Sequence, residues 1–172
     1  MSTQDNAKQQ AAAQYASIAA LVSAYNLDWG QYESLLDLRA AHEIDMAGEN
    51  YQKPFNAAYP DEAEALAEFE EARDKTECDS QESVQDRIQE MPLEVCVRSG
   101  WVSSQEDMQP EEFMILLCTG GPAVRIMGEL DHNNSVCRAW IEYQDWGTPW
   151  TQYFDADQST LIEFCNHFYF GE

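Results

Sequence analysis

The stretch Phe113 to Trp150, FMILLCTGGPAVRIMGELDHNNSVCRAWIEYQDWGTPW, restricts the possible folds more than any other part of the chain. Phe113 to Cys118 is an unbroken apolar run, too short for a helix and closed by Thr119-Gly120-Gly121-Pro122. Such a run followed by a turn signal predicts a strand buried on both faces. Gly120 and Gly121 can adopt positive φ, and Pro122 has no N–H for a ladder, so the chain must reverse there. From Ala123 to Leu130 the pattern alternates. Val124, Ile126 and Leu130 fall on one face, with Arg125, Met127 and Glu129 on the other. Asp131 to Ser135 is a second turn, and Val136 to Gln144 alternates again, with Cys137, Ala139, Ile141 and Tyr143 opposite Arg138, Trp140 and Glu142. Three strands on short turns make an antiparallel meander with Leu116, Val124, Ile126 and Ile141 in its core.

A further strand precedes them. Leu93, Val95 and Val97 alternate with Glu94, Cys96 and Arg98 up to about Val102, and a polar loop from Ser103 to Pro110 follows. The segment before Pro92 reads as helical. Met1 to Gln10 is polar and expected to fray, whereas Tyr15, Ile18, Ala19, Val22 and Tyr25 recur at helical spacing. Asp28, with Gln31 three residues on, caps a second helix whose apolar side is Trp29, Tyr32, Leu35, Leu36 and Leu38. Ala47 to Tyr59 reads as a loop pinned by Tyr51, Phe55 and Tyr59. A helix from Asp61 packs through Leu66 and Phe69, and Asp79 to Glu82 offers a capping box for another with Val84, Ile88 and Met91 inward. Asp157 or Ser159 caps a last helix over 158–170, with Leu161, Ile162, Cys165 and Phe168 towards the sheet. The expectation is one α+β domain over 1–172: N-terminal helices, a four-stranded antiparallel sheet and a C-terminal helix packed on it. Residues 11–91 form its mainly helical acidic part, and 93–172 its antiparallel sheet with the C-terminal helix.

Charge decides which functions are open. Nine Lys and Arg face 32 Asp and Glu, a formal −23 with pI near 4.1, and such self-repulsion opposes the compact state. Binding nucleic acid or an anionic membrane needs basic residues, so neither is expected. The charge concentrates between 61 and 90, which holds 12 acids and three bases. Five cysteines lack any CxxC or zinc spacing and read as buried, reduced thiols. The N-terminus carries no charged segment ahead of an apolar one, and no 18-residue apolar run occurs, so the expected location is the cytoplasm.

The C-terminal third, with LLCTGGPAVRIMGELD, EYQDWGTPWTQYF and FCNHFYFGE, resembles small acidic proteins of unknown function carried by phages, plasmids and integrative elements of proteobacteria. The resemblance covers about 113–172 and implies a mobile-element setting. It supplies no catalytic residue.

No catalytic motif stands out. His42, Glu43 and Asp45 lack the second histidine of a zinc helix and read as an exposed helix face. His132 belongs to a turn, and Cys165 and His167, two apart on a helix, do not face each other. Gly120 and Gly121 lack the lysine and following helix of a phosphate loop. Paired acids of a glycosidase or two-metal nuclease are not selected by any motif. Trp140, Tyr143, Trp146, Trp150, Tyr153 and Phe154 read as core and corner packing. The chain is therefore read as no enzyme, with no cofactor and no metal.

The carboxylates of 61–90 are the candidate partner-binding residues: Asp61, Glu62, Glu64, Glu68, Glu70, Glu71, Asp74, Glu77, Asp79, Glu82 and Asp86. Asp28, Glu33 and Asp37 extend them. Helix neighbours lie ~5–6 Å apart, and duplex DNA presents a charge per ~1.7 Å of axis, so rows of acids imitate phosphates. The expected activity is a DNA-mimic inhibitor of a basic host defence protein, a restriction enzyme or a CRISPR effector. An immunity protein or antitoxin against a basic nuclease toxin uses the same electrostatics. A solvated face kept for solubility is the plain alternative, and a homodimer stays open.

Overall fold

The structure, a computed structural model, describes residues 3–46, 53–103 and 108–171. Among the described residues, six helices and five strands follow in order: α1 (Thr3–Tyr25), α2 (Trp29–Met46), α3 (Phe55–Ala58), α4 (Pro60–Thr76), α5 (Gln81–Glu90), β1 (Glu94–Arg98), β2 (Glu112–Cys118), β3 (Ala123–Leu130), β4 (Val136–Gln144), β5 (Thr151–Tyr153) and α6 (Gln158–Cys165). The strands form one antiparallel meander, β1-β2-β3-β4-β5. The α+β architecture is the one read from the sequence, with a fifth strand added. After the turn at 145–148, Tyr153 pairs with Ile141 and Thr151 with Tyr143.

The meander buries one face. Phe113, Ile115 and Leu117 on β2 line up with Val124, Ile126 and Leu130 on β3 and with Ala139, Ile141 and Tyr143 on β4. Leu116 is only half-buried, contrary to expectation, and β2 is not buried on both faces. Helices cover just one side of the sheet, so Met114 and Leu116 reach the partly open side with Arg125 and Trp140. On that open side Arg125 ion-pairs with Glu142 at 2.7 Å and stacks on Trp150 at 4.0 Å.

α1 is the spine between the sheet and the other helices. It packs on β3, β4, β5 and α6 and also holds α4 and α5. Residues 1–10 were expected to fray, yet α1 begins at Thr3 and buries Ala7 and Ala11 completely. Both positions are in register with Ile18 and Val22, and a methyl side chain there lets the backbone approach its neighbours closely. α6 starts where Asp157 accepts from Thr160 N at 2.9 Å, while Tyr15 Oη accepts from Asp157 N at 2.9 Å and ties it to α1. It ends at Cys165 rather than Phe170, and Phe170 instead stacks on Phe113 with ring centroids 4.3 Å apart.

A second, smaller core lies beyond α1. Tyr32 and Leu35 of α2, Phe55 of α3, and Leu66 and Phe69 of α4 bury one another. The predicted loop before α4 therefore contains a helical turn; Tyr51 lies outside the described residues. Among the described residues, no helix is long and apolar enough to cross a membrane.

Cysteine burial also departs from the reading. Cys78 and Cys165 are buried, Cys96 and Cys118 half-buried, and Cys137 is exposed because β4 extends past the helices at its start. The apolar row of β1 is exposed too, with Leu93 at 62%, Val95 at 39% and Val97 at 51% of full accessibility. Those side chains share the face of Phe113 and Ile115, but the helices do not reach that far.

Candidate protein-binding surface

α4 begins with Pro60 in its first turn, where a missing N–H costs nothing, and with Asp61 and Glu62 at the positive end of the helix dipole. Arg73 and Lys75 occupy the negative end. The helix stops at Glu77, which takes a left-handed conformation (φ 59°) and donates its N–H to Arg73 O at 2.7 Å. α5 then starts from Ser80, not from the Asp79–Glu82 box read in the sequence. Ser80 Oγ accepts from Ser83 N at 3.2 Å, and Ser83 Oγ accepts from Ser80 N at 3.0 Å. Ser83 thus fills the third helical position, where a glutamate had been sought one residue earlier.

Leu66 and Phe69 turn α4 onto α2, and this fixes where its acids point. Phe69 lies between Trp29 and Tyr32, with centroids at 5.6 and 5.2 Å. Ten of the eleven candidate carboxylates are exposed: Asp61, Glu64, Glu68, Glu70, Glu71, Asp74, Glu77, Asp79, Glu82 and Asp86. Glu62 is half-buried. Glu33 and Asp37 on α2 are exposed, while Asp28 accepts from Gly30 N at 3.2 Å as a helix cap.

Some of these acids are neutralised locally. Glu70 meets Arg39 at 2.8 Å, a contact across 31 residues. Glu71 meets Lys75 one turn on at 2.7 Å, and the hydrogen bond from that ammonium holds its carboxyl below the usual range. Arg73 donates to Tyr32 Oη at 2.6 Å, so its charge is anchored to the small core. Glu68 and Glu71 edge a groove of about 800 Å³ between α1 and α4, floored by Ala16, Ala20 and Ala72. Glu70, Asp74, Glu77 and Asp79 edge a second hollow of about 470 Å³. α4 and α5 each pack on α1.

The other candidates have structural explanations. His42 is buried, not exposed. Its Nε2 lies 2.8 Å from Lys53 O, and Tyr59 meets its ring edge-on at 5.5 Å. Glu43 is exposed, and the side chain of Asp45 lies outside the described residues. Asp131 accepts from Ser135 N and Asn133 N, which lowers its carboxyl pKa and accounts for the turn that carries His132. Burial pushes the Cys165 thiol far up, away from the thiolate. His167 faces Gln85 at 2.8 Å and the edge of Tyr25, joining α5 and α1 to the end of α6. Among the described residues, no group of three or more His, Cys, Asp or Glu is placed to hold a metal ion. Of the aromatics, Tyr143 and Tyr153 are buried, but Trp146 and Phe154 are exposed at 79% and 80%. Sequence reasoning also passed over Trp101, which is fully exposed beyond β1.

Burial holds the His167 imidazole below its ordinary pKa, with Glu163 opposing the shift. A histidine with a folded pKa below its unfolded value adds stability above about pH 6.5, and that stability is lost as pH falls through the folded pKa. Comparing thermal unfolding between pH 7.5 and pH 5 should therefore show His167→Gln losing less stability than the parent chain. The comparison isolates His167 from the general relief of carboxylate repulsion, which both proteins share.

The fold and this surface define an α+β protein with a one-sided meander and an acid-faced outer helical layer. No family, no curated protein and no solved structure matches the chain.

Proposed function

We propose that this chain is a non-enzymatic inhibitor that presents α4 and α5 as a substitute for a nucleic-acid backbone. It would occupy the basic groove of a host defence protein, a restriction enzyme or a CRISPR effector. The observation that carries this reading is the exposure of ten carboxylates between Asp61 and Asp86, six of them on α4, which a small core of its own seats against α2. Solubility asks only for net charge. It does not ask that α4 be seated through Leu66 and Phe69 so that Glu64, Glu68 and Glu71 project together. The resemblance of residues 113–172 to mobile-element proteins supports the setting, since such elements meet nucleic-acid-binding defences in their hosts.

The test begins with a pull-down from host lysate and a binding measurement on the basic protein recovered. Reversing Glu64, Glu68 and Glu71 to lysine should weaken that complex at least tenfold, with the far-UV spectrum unchanged. Spacings of four and three place them on one side of α4. Glu70 is left intact because Arg39 depends on it. Reversing Glu106, Asp107 and Glu111 changes net charge equally and should matter far less; the first two lie outside the described residues. Affinity should fall steeply with salt, because ~0.15 M ions screen opposite charges within ~8 Å. Equal effects from the two triple variants would refute the groove reading and leave bulk charge alone.

A further inference from the structure

β1 is an edge strand of five residues, and the opposite edge, β5, has only three. An edge with exposed valines is a template for another strand unless something blocks it. The hydrogen bonds fix which groups face outward. Leu93 N donates to Leu116 O at 2.7 Å and Leu130 N to Glu111 O at 2.8 Å, so the even-numbered residues of β2 bond to β1 and the odd-numbered ones to β3; Glu111, just before the strand, also donates its N–H to Arg98 O at 2.9 Å. Because Glu94, Cys96 and Arg98 pair with Leu116, Met114 and Glu112, their backbone groups are the ones used within the sheet. The N–H and C=O of Val95 and Val97 therefore point out of the edge.

We infer that two copies of this chain join through β1, antiparallel about a two-fold axis at Cys96, into one ten-stranded sheet. In this register Val95 of each copy exchanges both hydrogen bonds with the partner's Val97. Glu94 stands opposite the partner's Arg98, and the same pair recurs on the far side of the axis. Shifting the register by two residues loses both ion pairs. It sets Val95 against its own copy, or Val97 against its own copy, with Glu94 or Arg98 facing Cys96. Opposite charges across an antiparallel pair are favourable, so the sequence of this edge is complementary to itself and selects a second copy as the occupant. The edge is also where the chain's charge runs out: residues 93–103 hold one acid, Glu94, and one base, Arg98. Two chains of formal charge −23 can approach here without placing acid against acid in the seam. The dimer is independent of the inhibitory reading of α4 and α5.

The register makes a chemical demand that serves as the test. Cys96 faces its own copy as a non-hydrogen-bonded pair, at a Cα separation of ~4.5 Å, which lies within the ~4.4–6.8 Å range that a disulfide spans. Oxidised glutathione should take two electrons and two protons from the two thiols: one Cys96 thiolate opens its S–S bond to a mixed disulfide, the partner's Cys96 displaces the second half, and a Cys96–Cys96 disulfide and two molecules of reduced glutathione result. Sedimentation equilibrium of the full chain near ~0.15 M salt should show a reversible dimer under reducing conditions, and oxidation should trap it covalently. Cys137→Ser, which removes the exposed thiol, should still crosslink, whereas Cys96→Ser should not. Val97→Lys should weaken the dimer at least tenfold. Val95→Pro, which removes an outward N–H and no bond within the sheet, should do the same with an unchanged far-UV spectrum. A monomer at about 100 μM, where even a weak association would register, would overturn the inference. A dimer indifferent to both β1 variants, or one that oxidation does not link through Cys96, would overturn it equally.

Discussion

Gly128→Ala is expected to destabilise the protein by about 3 kcal/mol, near the upper end for overpacking a core. Gly128 sits in the middle of β3 on the buried face, opposite Phe113 and Ala139. A methyl group there would stand 2.2 Å from Phe113 Cζ and 2.5 Å from Arg138 O. Neither neighbour can give way. The Phe113 ring is fully buried and stacked on Phe170, and the Arg138 carbonyl belongs to β4. For a chain of this size the loss should lower the melting temperature by roughly 6–12 °C. Gly100→Ala is the contrast. Its nearest neighbour is the carboxylate of exposed Glu111, which can swing aside, so the melting temperature should barely move. Equal shifts from the two glycines would show that β3 and β4 separate more readily than their packing implies.

Phe69→Ala is expected to cost ~3–5 kcal/mol, but locally. The residue is 3% exposed and wedged between Trp29 and Tyr32, in a core that also includes Leu35, Phe55 and Leu66. That core holds α4 to α2, while the meander has a core of its own beneath α1. Hydrogen exchange followed by mass spectrometry should show α4 and α2 losing protection while β2, β3 and β4 keep theirs. The same variant should lose affinity for the basic partner without losing a single acid, because the carboxylates would no longer be held in place. Loss of protection across the whole chain would mean that the two cores unfold as one unit.

The meander was legible because its signal is local. Val124, Ile126 and Leu130 alternate with Arg125, Met127 and Glu129, and Asp131 to Ser135 can do little but turn. The number of layers was not legible. The run FMILLC satisfies a strand covered on both faces as readily as one covered on a single face, and only the packing of helices decides that Leu116 stays half-exposed. Val95 and Val97 alternate as Ile126 does, yet they lie at the edge. Periodicity reports which side chains share a face, not whether anything covers it. β5 was missed because three residues beside Trp146-Gly147-Thr148-Pro149-Trp150 carry no period of their own. At the acidic surface, the exposure of Glu64, Glu68, Asp74 and Asp86 followed from composition. The pairing of Glu70 with Arg39 did not, since it spans 31 residues and exists only once α2 and α4 meet. His42 misled for the same reason: its cover, Tyr59 and Phe55, arrives from a later segment.

The place of α1 in the middle of the molecule sets the order in which the chain can be finished at the ribosome. α1 is made first, but the surfaces it rests on, β3 and β4 and then α6, come last. About 120 residues separate Tyr25 from Gln144, which at ~5–20 residues per second is roughly 6–24 s of synthesis. For that interval Ile18, Leu21 and Val22 have no sheet to cover them. A nascent chain arrested before β4 should therefore recruit chaperones through its N-terminal helix, and one released after α6 should not.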